Sequence, residues 1–172
     1  MDPDLVEDPV LRQRYRFHPE GDVLRVEIWA EPGSFVPDHM HPRSEERWEV
    51  LEGDVTFTVA GERLHPSPGE RLAVAPGIRH AFENTGSTVA RIVAEVEPAL
   101  DLQAFLEDAA ALGRAGRYTP RGLPKGPGAL LDAAEFVERY RDTTVVSFPP
   151  PFLQRVVFPP LARLARRRRR AR

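Results

Sequence analysis

The chain has 172 residues, enough for one domain of ordinary size with an appendage. It contains no cysteine, which excludes disulfides and thiolate metal sites, and no run of eighteen apolar residues, which excludes a helical membrane span. The net charge of −2 conceals an asymmetry, because seven of the last ten residues are arginine; residues 1–162 hold the other 17 of 24 basic residues against 26 acids.

Residues 1–10 carry four acids and no apolar run, so they read as an N-terminal arm, extending to residue 13, and not as a secretion leader. A cytoplasmic location is the expectation. Eighteen prolines and twelve glycines favour short strands joined by tight turns. Residues 14–98 keep that promise. Leu24, Val26, Ile28 and Ala30 alternate with polar neighbours and stop at Pro32-Gly33. Trp48 and Val50 share a face before a hairpin turn at Glu52-Gly53-Asp54. Val55, Phe57 and Val59 alternate up to Ala60-Gly61-Glu62, and residues 72–74 form a short strand before Pro76-Gly77. His80, Phe82 and Asn84 share a face, Thr85-Gly86-Ser87 turns the chain, and residues 89–96 make the last strand. About eight strands at this spacing predict an all-β sandwich or barrel.

After Pro98 the apolar period lengthens. Leu102, Phe105, Leu106, Ala109 and Leu112 predict a helix capped by Asp101. Residues 117–128 read as a loop, and Leu130, Leu131, Ala134, Val137 and Tyr140 predict a second amphipathic helix. Residues 152–166 suggest a third, interrupted at Pro159-Pro160. The organisation is thus an arm (1–13), a barrel (14–98), a helical extension (99–160) and an arginine-rich tail (161–172).

Chemistry concentrates in four residues. His39 and His41 are two apart, so on a strand both imidazoles face one space. Glu46 opens the next strand, and an antiparallel return brings it back toward them. His80 follows a Pro-Gly turn on a third strand. Three imidazoles and a carboxylate suit one divalent transition metal ion, Fe, Mn, Zn, Ni or Cu, and leave one or two positions open for chemistry. Trp48, Phe57 and Phe82 either line a substrate pocket or form core, the latter being favoured. Asn84 either orients His80 from behind or serves a turn. His18 and His65 read as surface histidines, Glu45 as a solvated charge and Arg47 as exterior.

These residues resemble the two motifs of the cupin superfamily. Gly33, His39, His41, Glu46 and Gly53 match G-x5-H-x-H-x(3,4)-E-x6-G throughout; Gly69, Gly77, His80 and Asn84 match the second motif, in which Ala75 stands where the family has proline. The resemblance covers roughly residues 14–98 and implies a jelly-roll antiparallel barrel with a metal inside, a homodimer, and either dioxygenase-like or Lewis-acid isomerase or lyase chemistry on a small molecule. The alternative is a small-ligand or metal-sensing module without turnover. For residues 163–172 a solvated tail ranks first, contact with an anionic membrane surface or a partner second, and nucleic acid last.

Overall fold

The computed structural model describes residues 4–170; Met1, Asp2 and Pro3 of the expected arm, and Ala171 and Arg172 of the expected tail, lie outside the described residues. Strict alternation builds two of the long central strands. In β3 (Val23–Ala30), Leu24, Val26, Ile28 and Ala30 are all buried, and in β5 (Glu45–Glu52) the buried set is Glu46, Trp48 and Val50. The expected inward faces are the observed ones.

Two antiparallel sheets face one another. The first runs β1 (Val6–Asp8), β2 (Gln13–Glu20), β3, β10 (Ala90–Glu97), β5 and β8 (Arg71–Val74). The second runs β11 (Val145–Val146), β4 (Phe35–Met40), β9 (His80–Asn84), β6 (Val55–Val59) and β7 (Glu62–Leu64). From β3 to β6, and again from β7 to β10, the chain crosses between sheets at each connection. This is the jelly-roll winding, and the apolar faces of both sheets form one core.

Turn glycines fix the register. Gly53 sits at φ +89 in the β5–β6 hairpin, and a Cβ there would stand 2.8 Å from the Ala90 Cα. Both the backbone conformation and the close approach of β10 therefore require glycine. Gly53→Ala should destabilise the fold by about 2–3 kcal/mol, read as a lowered urea midpoint. An unchanged midpoint would refute this account of the hairpin.

The ends of the chain differ from the sequence expectation. Residues 6–8 of the arm pair with β2 in register Val6↔Tyr15, and Asp8 accepts hydrogen bonds from the Val10 and Leu11 amides. The arm is thus an edge strand; three residues are too few to show a period. Helix α1 (Leu102–Arg114) begins where Asp101 predicts, but the Asp101 side chain makes no capping bond. Helix α2 (Gly126–Arg139) buries Ala129 and Ala134, while Leu130 is exposed. Helix α3 (Pro151–Arg170) runs without a break through Pro159 and Pro160 and so crosses the expected boundary at residue 161. Two prolines remove the amide bonds to the carbonyls of Arg155 and Val156, and both of those residues are exposed, so water can serve the carbonyls. No described helix is long and apolar enough to cross a membrane.

Candidate metal centre

The four predicted ligands come together. His39 lies on β4, His41 just beyond its end, and His80 opens β9, all in one sheet; Glu46 reaches in from β5 of the other. One irregularity makes this work. Val36 pairs with Phe82 and His39 with His80, so β4 carries one extra residue between them. In a regular strand Val36 and His39 would face opposite sides. The bulge at Pro37-Asp38 reverses the parity, and His39 turns inward beside His80. Local bonds hold the other two elements in place. The Gly77 amide donates to the His41 carbonyl at 2.8 Å, tying the Pro-Gly turn to the first histidine pair, and Ser44 Oγ donates to the Pro98 carbonyl at 2.6 Å.

All four groups are less than 8% exposed, and one potential ligand atom from each lies within 4.8 Å of the others. Donors about 2.1 Å from a common ion stand about 3–4 Å apart, so the spacing fits one ion. The hydrogen bonds decide which atoms face it. His39 Nδ1 lies 2.9 Å from the Pro37 carbonyl, His80 Nδ1 3.0 Å from that of Ile78, and His41 Nδ1 2.8 Å from that of Thr143. A carbonyl only accepts, so each Nδ1 carries the proton and donates, and each Nε2 keeps its lone pair. Thr144 Oγ1 adds a contact to His41 Nδ1 at 3.3 Å. His80 Nε2 stands 2.6 Å from Glu46 Oε2, and His41 Nε2 stands 3.5 Å from it. Yet neither His80 Nε2 nor Glu46 Oε2 finds a hydrogen-bond partner among the described residues. Buried lone pairs and a carboxylate converging on one point are what a cation would satisfy. The residues fit a metal ion.

Electrostatics agree. Burial, helped by neighbouring imidazoles, lowers His39 to about 3, so it stays neutral as a ligand must. Burial also pushes the Glu46 carboxyl up, but close polar contact with His41 and His80 and their charge outweigh it and hold the group well below the carboxylate range. For His41, burial lowers the value and contact with Glu46 more than restores it, for a net rise. On acidification a proton therefore enters at His41 before His39. Metal occupancy should fall by about pH 5, measured by dialysis at stepped pH and elemental analysis; full occupancy there would contradict histidine ligation. Stability of the metal-free fold follows by linkage. The unfolded chain takes a proton at His39 near 6.5 that the folded chain refuses until about 3, so this contribution is lost as pH falls between those values. Glu46, depressed when folded, adds a further loss as pH falls below the ordinary carboxylate range. His41 opposes both, stabilising at low pH and losing that effect as pH rises through its folded value.

The candidates around the four resolve differently. Trp48, Phe57 and Phe82 are buried and in mutual ring contact at 5.2–5.7 Å, as core. The indole Nε1 of Trp48 is buried without a partner among the described residues. Asn84 does not orient His80: its Nδ2 donates to the Ala30 and Thr88 carbonyls, each at 2.8 Å, and its Oδ1 accepts from the Gly86 amide. It serves the turn. The residues that orient the rings are the carbonyls of Pro37, Ile78 and Thr143, two of them two residues before their histidine. Thr143 comes from a strap (141–147) in which β11 pairs with β4, Val145 opposite Met40 and Val146 opposite His39. At 102 residues from His41 it leaves no local signal in the sequence. His18 contacts Glu27, and His65 contacts Thr56, away from the centre.

Residues 26–96 match the family model described as Cupin domain. Over this segment the barrel is similar to the cupin superfamily. Among curated proteins, the cupin region is 37% identical over 71 residues to the tetracenomycin polyketide synthase protein TcmJ of Streptomyces glaucescens, covering 41% of this chain and 48% of that protein. It is 32% identical over 68 residues to the HTH-type transcriptional regulator PuuR of Escherichia coli, covering 40% of this chain and 37% of that one. The match thus spans half or less of these relatives' lengths. Among solved structures, KdgF from a Halomonas species superposes with a TM-score of 0.54 at 18% identity, over 58% of this chain and 90% of that one. An RmlC-like cupin from Shewanella frigidimarina gives 0.53 at 20%, over 59% and 90%. These likenesses concern the cupin fold.

Proposed function

We propose that this cupin-like barrel holds one divalent transition metal ion on His39, His41, Glu46 and His80 and acts there on a small, oxygen-bearing organic molecule. The observation that carries the reading is the set of three Nδ1–H groups committed to backbone carbonyls, which leaves three Nε2 lone pairs and a carboxylate aimed at one buried point. An ion held there supplies an electrophilic centre, and with Fe, Mn, Ni or Cu also a redox centre, for oxygenase-type or isomerase- and lyase-type chemistry. The chain's own residues set the surroundings. Trp48, two residues from Glu46 on the same face of β5, packs with Phe57 and Phe82 and keeps water from the neighbouring core. Two relatives bear polyketide synthase names, TcmJ and CurC of Streptomyces cyaneus, which supports enolic or phenolic polyketide-like compounds as the first class to try.

The test loads the protein with each metal and follows oxygen uptake and product mass over a panel of enolic and flavonoid-like compounds. Turnover that chelation abolishes is the expected result. Tight binding of a compound with no product, by any metal, would overturn the enzymatic reading. It would favour a sensing module instead, a reading supported by the similarity to the regulator PuuR.

A further inference from the structure

Helix α3 has two faces, and the fold uses one of them. Gln154, Phe158, Ala162 and Ala165 are buried, with α3 packed on α2, and Gln154 Nε2 anchors the helix start by donating to the Val146 and Pro149 carbonyls. At 100° per residue, Phe152, Leu153 and Val156 fall on the opposite side with Val157 and Leu164 on its flank, and all are exposed. Phe152 is 71% exposed, Val156 73%, and Phe148 just before the helix 76%. A solvated monomer has no use for so dense an apolar group.

Charge says what covers it. Asp142 is the last acid of the chain; residues 1–142 hold 26 acids and 16 basic residues, whereas residues 143–172 hold eight arginines and no acid. The two portions therefore carry −10 and +8. Within α3 the exposed apolar residues lie mainly before Pro159-Pro160, and the exposed Arg163, Arg166, Arg167 and Arg168 lie after them. We propose that the outer face of α3, with Phe148, docks on an anionic phospholipid surface. Phe148, Phe152 and Val156 enter the boundary between headgroups and acyl chains, and the arginines lie among the phosphates and carboxylates. The acidic body is repelled by the same surface, so the molecule is oriented with α3 downward. A second α3 as occupant would set two acid-free, arginine-rich helices against each other, and a nucleic acid would leave the aromatic half unused.

The test is flotation of the full-length protein with phosphatidylcholine vesicles, with and without phosphatidylserine. Binding to the serine-containing vesicles alone, weakened by salt, is the expected result. R166Q/R167Q/R168Q should weaken it roughly 100-fold, at roughly fivefold per arginine, and F152S/V156S at least roughly tenfold. Unchanged circular dichroism and metal loading confirm that each variant is folded, since none of these residues is buried. Failure of the native chain to float with phosphatidylserine, or variants that float as it does, would overturn the proposal. So would a dimer in solution that F152S/V156S dissolves, which would make a second copy the occupant, or tighter binding to RNA than to vesicles.

Discussion

His41→Ala should leave the barrel folded and lower metal affinity by at least about 100-fold, measured by competition with a chromogenic chelator. One ligand of four disappears. Its loss also frees the Thr143 carbonyl and removes the imidazole 3.5 Å from Glu46 Oε2, leaving that carboxylate to His80. His65→Ala is the matched control, because that ring contacts Thr56 outside the centre and its loss should leave affinity unchanged. A His41→Ala protein that still binds a full equivalent with native affinity would remove His41 from the ligand set.

Phe57→Ala should cost about 3–5 kcal/mol of folding stability, measured by urea unfolding. The ring is 1% exposed, sits on β6 between Leu64 of β7 and Phe82 of β9, and touches the rings of Trp48 and Phe82. Truncation there opens a cavity that two sheets cannot close without shifting their register. A pocket wall would behave otherwise, because a solvated cavity already lacks those contacts. A cost below about 1 kcal/mol would therefore return Phe57 to the substrate-lining role.

Much of the site is readable in the sequence because its determinants are local. Side-chain parity puts His39 and His41 on one side of a strand, Gly53 and Gly77 mark the turns that reverse the chain, and Glu46 shares its face with Trp48 and Val50. The extra residue in β4 is another matter. It becomes apparent once Val36 and His39 are paired with Phe82 and His80, which is a property of two strands and not of one. Asn84 shares a face with His80 yet serves the turn, since parity gives direction and says nothing of the carbonyls of Ala30 and Thr88 that the amide finds there. The strap at Thr143 is the deepest omission. Two strand residues and a carbonyl that crosses 102 positions have no period to detect, although they fix the tautomer of His41. In α3 the prolines suggest a break, but the helix runs on through both, with the residues four positions earlier, Arg155 and Val156, exposed.

X-ray absorption at the metal edge of the loaded native protein most directly tests whether these rings and this carboxylate share an ion. The account predicts one ion per chain, with a nitrogen-rich first shell and the outer-shell signature of three imidazoles. A shell of oxygen alone, or a metal content unrelated to chain number, would contradict it.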